Sequence, residues 1–426
     1  MNIEFLTRLA SATQWFALSA LLIFTPLARG ATERWAFYIS LWLGLLAMTA
    51  MILKRMWQGE RLLPRSPLDF PLALLFFMVV GFYSASIYKE ATFWALLRLL
   101  LYITVYYLAI EATESRSQTR WLLITLLGTG TLISFLGFIK YAGGPMPAFW
   151  VYSKNGQESQ LISTFVNRNH LAGYLEMVFA LGLGFILFRP AERILFWSSC
   201  LLLILVGLFL SMSRGGWIAT FTSLIFIGIL FFRQKGMSKV KIYAMTLALF
   251  LTVSLSFLGS NTMIERLHSF KNPNEPSLLL RLSAWKGCTK LILEDPLHGT
   301  GLGTFPWSFT AVRSAGLPKR WREAHNDYLQ IVTEMGLLVL IPIAWGLFLV
   351  FRTGLRTFWK TKSRFRAGVT LGGLGAIMAI LVHSVIDFNI QITSNGILFS
   401  VLVGLVMGSA TSKQPSRQSR EILQIN

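Results

Sequence analysis

The chain has 426 residues, of which 54% are hydrophobic and only 14% are charged. Soluble domains carry about 25% charged residues, so the composition excludes an ordinary soluble protein and is typical of a chain embedded in a bilayer, where charge is costly. The formal net charge of +20 does not indicate nucleic-acid binding, because the basic residues lie mostly between apolar runs and not on one soluble surface.

Apolar runs long enough to cross a bilayer recur along the whole chain. A spanning helix needs about 20 mostly apolar residues. The sequence predicts such helices at 11–28, 35–53, 69–87, 93–110, 121–140, 170–188, 194–212, 216–232, 242–259, 328–351, 367–388 and 394–410. We therefore expect an all-α polytopic membrane protein with about 12 transmembrane helices.

Lysine and arginine are concentrated in alternate loops, and this bias sets the orientation of a membrane protein. With a cytoplasmic N-terminus, the cytoplasmic segments contain Lys54, Arg55, Arg61, Arg65, Arg116, Arg120, Arg189, Arg193, Arg233, Lys235, Lys239, Lys241, Arg352, Arg356, Lys360, Lys362, Arg364, Arg366, Lys413, Arg417 and Arg420. The opposite loops hold only scattered cations such as Arg29, Arg34 and Lys89. Both termini are therefore predicted to lie in the cytoplasm, which agrees with an even number of spans.

Two loops on the opposite, outer face are longer than the others, at 141–169 and 260–327. Loops of this length are usually functional or disordered. In the second, Leu279, Leu282 and Trp285 recur at helical spacing and predict a partly helical cap over the outer mouth of the bundle. The expected organisation is nine helices over 1–259, the large loop at 260–327, three helices over 328–410 and a tail at 411–426.

His325 is the candidate general base. It begins the segment His-Asn-Asp-Tyr-Leu-Gln at 325–330, where the predicted cap returns to the membrane. Imidazole titrates near neutral pH, and a general base must meet both substrate and solvent. A single histidine is more often structural than catalytic, and the other histidines on the outer side are His170, His268, His298 and His383.

Three basic residues are candidates for binding an anion. Arg214 lies in Ser-Met-Ser-Arg-Gly-Gly-Trp at 211–217, where the glycines permit a tight turn before a helix N-terminus. A guanidinium beside a helix N-terminus suits phosphate oxygens, although an arginine that anchors a helix at the headgroups would have the same sequence. Arg281 and Lys286 lie on the predicted cap helix. They either place a second group of cations over the pocket or belong to a solvated face of that helix.

Glu334, His383 and Asp387 lie within predicted spans, where such groups are functional candidates. Glu334 is out of phase with His325 on a common helix, so we expect it to pair with another helix, with Arg98 as a candidate partner. His383 and Asp387 stand four residues apart and are predicted to pair on one helix face.

Several familiar sites are not indicated. The glycine-rich segment 299–305 follows no predicted strand, so it matches neither a dinucleotide fingerprint nor a P-loop. No carboxylate pair or histidine cluster has metal-ligand spacing, and Cys200 and Cys288 imply no disulfide framework. The residues predict an outward-facing cationic pocket with one base, no metal and no cofactor, for an anionic and phosphate-bearing substrate in the membrane.

The motifs taken together resemble the O-antigen ligase and polymerase family. The resemblance covers roughly 160–340 and rests on five segments in this order: Phe165 to His170, Ser213-Arg214-Gly215-Gly216-Trp217, Arg281-Leu282-Ser283-Ala284-Trp285, Pro296 with Gly299, Gly301 and Gly303, and His325-Asn326-Asp327-Tyr328-Leu329 with Glu334-Met335-Gly336 following.

The resemblance implies a membrane glycosyltransferase of the C-type architecture in the bacterial inner membrane, with its active site facing the periplasm. Such enzymes transfer a glycan from undecaprenyl pyrophosphate to an acceptor, with inversion and without a metal. By similarity, Arg214 and Arg281 would hold the pyrophosphate and His325 would be the base. The candidate supporting residues are Asn167, Arg168, His170, Lys286, Glu334, His383 and Asp387.

The acceptor distinguishes the readings that remain open. A ligase transfers the glycan to the lipid A–core of lipopolysaccharide, and a polymerase transfers it to a second lipid-linked glycan; we favour the ligase. A protein O-oligosaccharyltransferase is a third enzyme reading. A polysaccharide transporter is the alternative from another class, and it would favour internal repeats and broken helices at mid-membrane, which the sequence does not show clearly.

Overall fold

The computed structural model describes residues 2–150, 161–188, 194–233, 276–313 and 321–411. These ranges are helical, with no strand among them. The helices are α1 Ile3–Leu27, α2 Arg34–Trp57, α3 Asp69–Gly81, α4 Lys89–Thr113, α5 Arg116–Tyr141, α6 Arg168–Leu187, α7 Ile194–Leu210, α8 Arg214–Phe232, α9 Pro276–Glu294, α10 Phe305–Val312, α11 Asp327–Met335, α12 Leu340–Lys360, α13 Arg364–His383 and α14 Thr393–Thr411.

Nine helices in the described ranges are long and apolar enough to cross a membrane. They correspond to the first, second, fourth, fifth, sixth, eighth, tenth, eleventh and twelfth predicted spans, and they confirm a multi-pass all-α membrane protein. At the third and seventh predicted spans, α3 and α7 have 13 and 17 residues. The ninth predicted span, 242–259, lies outside the described residues, so the total of twelve stays a prediction.

The predicted single span at 328–351 is wrong in its boundaries. The short helix α11 ends before Gly336, whose φ of 70° and ψ of 179° are accessible almost only to glycine and do not continue a helix. A turn at Leu337–Val339 then leads into α12, so the apolar residues of α11 do not belong to the spanning helix. Glu334 consequently lies on this short helix and not inside a span.

Helices α6 and α13 pack with their backbones in contact. A Cβ on Gly184 would overlap the backbone of Gly372 and lie 2.7 Å from the Gly368 carbonyl oxygen. Small residues at helix interfaces permit this approach inside a bilayer, where the hydrophobic effect does not hold helices together. The contact fixes the relative register of the two helices that lead to the candidate site.

The described part of the predicted cap is helical. The expected helix near 277–294 is confirmed as α9, and α10 packs beside it. Ala284, Cys288, Phe305, Phe309 and Ala324 form a small buried core between these helices and the segment that precedes α11. The cap therefore has its own apolar core, while its placement on the periplasmic side stays a prediction.

The glycine-rich segment of the cap is bound directly to α11. Thr300 N donates to the Thr333 carbonyl at 3.1 Å, and Gly301 N donates to the Glu334 carbonyl at 2.8 Å. Leu337 N donates to the Pro296 carbonyl at 2.7 Å. These bonds hold the glycine-rich segment against the helix that directly follows the candidate base.

Gly336→Ala is expected to destabilise the protein more than Gly59→Ala. Both glycines have positive φ, at 70° and 67°, so both substitutions cost about 1–3 kcal/mol of backbone strain. A Cβ at Gly336 would also overlap the Leu297 carbonyl, whereas a Cβ at Gly59 meets nothing within 4 Å. Overpacking adds about 1–3 kcal/mol, so Gly336→Ala should lower the apparent melting temperature in detergent further. Equal decreases in melting temperature for the two variants would show that residues 297–298 can move away from Gly336 without cost.

Candidate functional site

The segment 325–330 begins α11 through a side-chain cap. Asn326 is the N-cap, and its Oδ1 accepts a hydrogen bond from Leu329 N at 2.9 Å, as asparagine does at many helix starts. Gln330 accepts from Ala324 N at 3.0 Å and donates to Glu323 at 2.6 Å. Both chain neighbours of His325, Ala324 and Asn326, are therefore held by hydrogen bonds.

Asp327 joins α11 to the connection between α13 and α14. Its Oδ2 accepts from the Ser384 hydroxyl at 2.7 Å and from Ile390 N at 3.2 Å. Its own N–H donates to the Ser384 carbonyl at 2.9 Å. Tyr328 adds a bond from its hydroxyl to the Leu381 carbonyl at 2.8 Å. These four bonds hold the start of α11 against the end of α13 and the connection at 384–392.

Asp387, in that connection, is where the candidate site residues meet. Its Oδ1 lies 3.2 Å from His325 Nδ1, and its Oδ2 lies 3.4 Å from Arg281 Nη2. Asn169 also donates to Oδ2. The Asp387 side chain is 1% exposed, whereas those of Arg281 and His325 are 20% and 23% exposed. A buried carboxylate thus supports two side chains that still reach the surface.

The partners of Asp387 keep it ionised. Burial alone would raise the pKa of this carboxyl, but the hydrogen bond from His325 and the charge of Arg281 outweigh it and hold the pKa well below its usual range. The resulting stabilisation is complete above about pH 4, the ordinary carboxyl value. It is lost only as the pH falls through the lowered pKa.

Aromatic side chains set the orientation of the His325 ring. Phe388 lies between two imidazoles, with centroid distances of 4.5 Å to His170 and 4.7 Å to His325. Trp321 lies 5.5 Å from His325 on another side. His170 therefore contributes to the site by packing against Phe388.

Arg281 and Trp285 act from the same face of α9. They are four residues apart, which places them on one side of a helix. Trp285 Nε1 donates to the Ala324 carbonyl at 3.0 Å, and Arg281 reaches Asp387. Helix α9 therefore contacts the residue before His325 through Trp285, and it contacts the carboxylate of Asp387 through Arg281. Lys286, by contrast, is exposed.

The predicted pairing of His383 with Asp387 is wrong. His383 Nδ1 lies 3.0 Å from Glu176 Oε2, and both side chains are buried. The reason is that α13 ends at His383, so Asp387 no longer lies on the same helical face. The backbone still joins them, since Asp387 N donates to the His383 carbonyl at 3.1 Å.

Arg214 is the first residue of α8, beside the pair that His383 forms with Glu176. Ser213 is the N-cap, and its Oγ accepts from Gly216 N at 3.3 Å. A Cβ on Gly215 would lie 2.7 Å from the His383 ring, so only glycine permits this approach. The glycines after Arg214 thus fix the helix N-terminus against α13.

Strained backbone occurs in two of the sequence motifs and two residues before a third. Ser163, Met212 and His325 have φ values of 52°, 55° and 53°. Such conformations cost about 1–3 kcal/mol for a residue other than glycine and occur preferentially at functional sites. Met212 begins the turn into Arg214, and His325 is itself the candidate base.

Glu334 belongs to a different cluster, and its predicted partner Arg98 is wrong. The Glu334 carboxylate accepts from Gly303 N at 2.7 Å, Phe305 N at 3.3 Å and Gln330 Nε2 at 3.2 Å. Arg98 donates to the Gln391 carbonyl at 3.3 Å. Glu334 therefore holds the glycine-rich segment, and it is structural in this arrangement.

The start of α6 delivers one more residue to the site. Asn167 is the N-cap of α6 and accepts from Asn169 N at 2.8 Å, and Arg168 is the first helical residue. The side chain that reaches Asp387 is that of Asn169, which the sequence reasoning missed although it lies in the quoted motif. Glu176 was also missed, and an acidic residue within a predicted span was the available signal.

One comparison with known proteins gave a match. A family model described as O-antigen ligase matches residues 199–344, about a third of the chain. This region contains Arg214, Arg281 and His325, whereas Asn169 and Asp387 lie outside it. No curated protein matches the chain. The match confirms the resemblance to the O-antigen ligase family and supports a multi-pass membrane glycosyltransferase of the ligase and polymerase type.

Proposed function

We propose that this protein transfers a glycan from undecaprenyl pyrophosphate to the lipid A–core of lipopolysaccharide on the periplasmic face of the bacterial inner membrane. The observation that supports this most directly is the contact of His325 with Asp387, beside Arg281 and within reach of solvent. The identity of the acceptor, lipid A–core, is the most specific part of this proposal. The family match supports a glycosyltransferase of either the ligase or the polymerase type.

His325 is proposed as the general base. Asp387 Oδ1 faces Nδ1 at 3.2 Å, so the carboxylate favours the tautomer with its proton on Nδ1 and leaves Nε2 to accept a proton. As the acceptor hydroxyl oxygen attacks the anomeric carbon, its proton passes to Nε2. The carboxylate stabilises the imidazolium that forms.

Arg281 and Arg214 are proposed to hold the pyrophosphate. Arg281 is half-buried beside the base. Arg214 begins a helix whose N-terminal backbone is fixed against His383, and a helix N-terminus favours a phosphate group. Each guanidinium can bind phosphate oxygens with two donors.

The bond changes follow from this placement. The acceptor oxygen forms a bond to the anomeric carbon while the bond from that carbon to the pyrophosphate oxygen breaks. The electron pair leaves on undecaprenyl pyrophosphate, whose developing charge the arginines stabilise. A single displacement inverts the anomeric configuration. The scheme uses side chains of this protein and requires no metal ion.

The decisive assay uses purified full-length protein, undecaprenyl-pyrophosphate glycan, and either lipid A–core or no added acceptor. We expect product only with lipid A–core. His325→Ala should reduce transfer by roughly 100- to 10,000-fold, the usual contribution of a general base. His298→Ala is the matched control, because His298 lies on the cap but is half exposed and pairs with Asp295 instead of Asp387.

The other outcomes of this assay are equally informative. Longer lipid-linked glycan without lipid A–core would make the protein a polymerase. No product with either acceptor, from folded protein, would favour the transporter. Transfer should continue in EDTA; a loss that added divalent metal restores would contradict the proposed mechanism.

Asp387→Asn should lower kcat by about 100-fold, the order expected when a catalytic group is misplaced. The amide keeps the shape of the side chain but cannot supply the charge that orients His325 and stabilises its protonated form. Asp295→Asn is the control, since the Asp295 side chain is half exposed and lies against His298 on the cap. An unchanged kcat in Asp387→Asn would remove Asp387 from the mechanism.

Arg214→Lys should impair transfer roughly tenfold although the charge is kept, because lysine lacks the two-donor geometry of guanidinium. The measurement is the KM for the donor together with kcat. Arg34→Lys, at an exposed position, is the control. Full activity of Arg214→Lys would show that Arg214 contributes charge alone or is an anchor at the headgroups.

A further inference from the structure

A second cationic site lies at the opposite end of the helix bundle. Helix α13 runs 20 residues from Arg364 to His383, and at 1.5 Å per residue its start is about 30 Å from the candidate active site. There, a cavity of about 590 Å³ opens between the starts of α5 and α13 and the end of α6. It is lined by Arg116, Ser117, Arg120, Phe185, Phe188, Arg364 and Phe365.

The three arginines of this cavity differ from other cations at the same end of the bundle. Lys54 and Arg55 both bind the buried carboxylate of Glu111. By contrast, Arg116, Arg120 and Arg364 have no carboxylate within 4 Å among the described residues. Like charges gathered round one cavity repel each other unless an anion lies between them.

The polarity of the cavity has two parts. The rim carries the exposed arginines, and the floor carries Phe185 and Phe188, which are buried in the protein. Phe365 lies between these parts, with the Arg116 guanidinium 5.2 Å from its ring centroid. A ligand that fits needs both an anionic group and an apolar group.

Two helix starts add to the positive potential at the rim. Arg116 and Arg364 are the first residues of α5 and α13, which are capped by Ser115 and Ser363. Backbone N–H groups and the helix dipole favour an anion at such positions. Phosphate, with several acceptor oxygens, matches the arrangement of guanidinium groups better than a single carboxylate does.

We propose that this cavity binds an anionic phospholipid, with the phosphate held by Arg116, Arg120 and Arg364 and the start of the acyl chains on the phenylalanine floor. Basic pockets between membrane helices are suited to anionic headgroups. The site is separate from the proposed transferase chemistry. It ties α5, α6 and α13 together, and so acts on the helix pair that carries the candidate active site.

The test uses the full-length protein purified in detergent and native mass spectrometry with phosphatidylglycerol, cardiolipin or phosphatidylcholine. The variant is Arg116→Gln, Arg120→Gln and Arg364→Gln combined. The control is Arg352→Gln, Arg356→Gln and Lys360→Gln, which removes three charges from α12 at the same end of the bundle without lining the cavity. The readout is lipid retention, so it does not depend on transferase activity.

We expect the wild-type protein and the control to retain the anionic lipids in preference to phosphatidylcholine. The cavity variant should retain the anionic lipids at least about tenfold less than the wild-type protein does, because each surface cation contributes roughly a fivefold factor to the lipid affinity. Equal retention by the cavity variant and the control would overturn the proposal. So would displacement of phosphatidylglycerol by millimolar inorganic phosphate, which would indicate a site for free anions. If the triple variant does not fold, Arg120→Gln carries the same comparison against Arg356→Gln.

Discussion

The backbone contact between α6 and α13 is the constraint on which the candidate site depends. Inside a bilayer, helices associate through close packing and polar contacts, because lipid is as apolar as their side chains. Gly184 and Gly372 allow the two backbones to touch. Since helices are rigid over this length, the contact also decides which residues meet further along, where Glu176 binds His383. Beyond that pair, the start of α6 and the end of α13 supply Asn169 and Asp387.

The need to compensate a buried charge assembles the rest of the site. A carboxylate removed from water is costly unless charged and hydrogen-bonding partners surround it. The partners of Asp387 come from three separate segments: Asn169 on α6, Arg281 on the cap and His325 before α11. Asp327 reinforces this arrangement by binding the connection that holds Asp387. The same interactions that stabilise the fold thus orient the proposed base.

The two ends of the bundle use their cations differently. At the end with the candidate site, Arg281 is bound to a carboxylate yet remains partly exposed, which suits a side chain proposed to meet a pyrophosphate. At the other end, Lys54 and Arg55 are bound to Glu111, while three arginines surround a cavity with an aromatic floor. Charge bias in the sequence predicts the orientation of the helices, but it does not separate paired cations from those available to a ligand.

The sequence by itself determined the all-α membrane class, most of the spans, the cap helix and the candidate base His325, because hydropathy, charge bias and short motifs are local properties. Tertiary structure alone decided which carboxylate supports that base. Asp387 stands 62 positions from His325 and 218 from Asn169, separations that no periodicity connects. It also decided that His383 binds Glu176, because α13 ends at His383 and turns Asp387 away. Glu334, which resembled a residue within a span, holds a glycine-rich loop instead, because Gly336 ends its helix before the membrane-spanning segment begins.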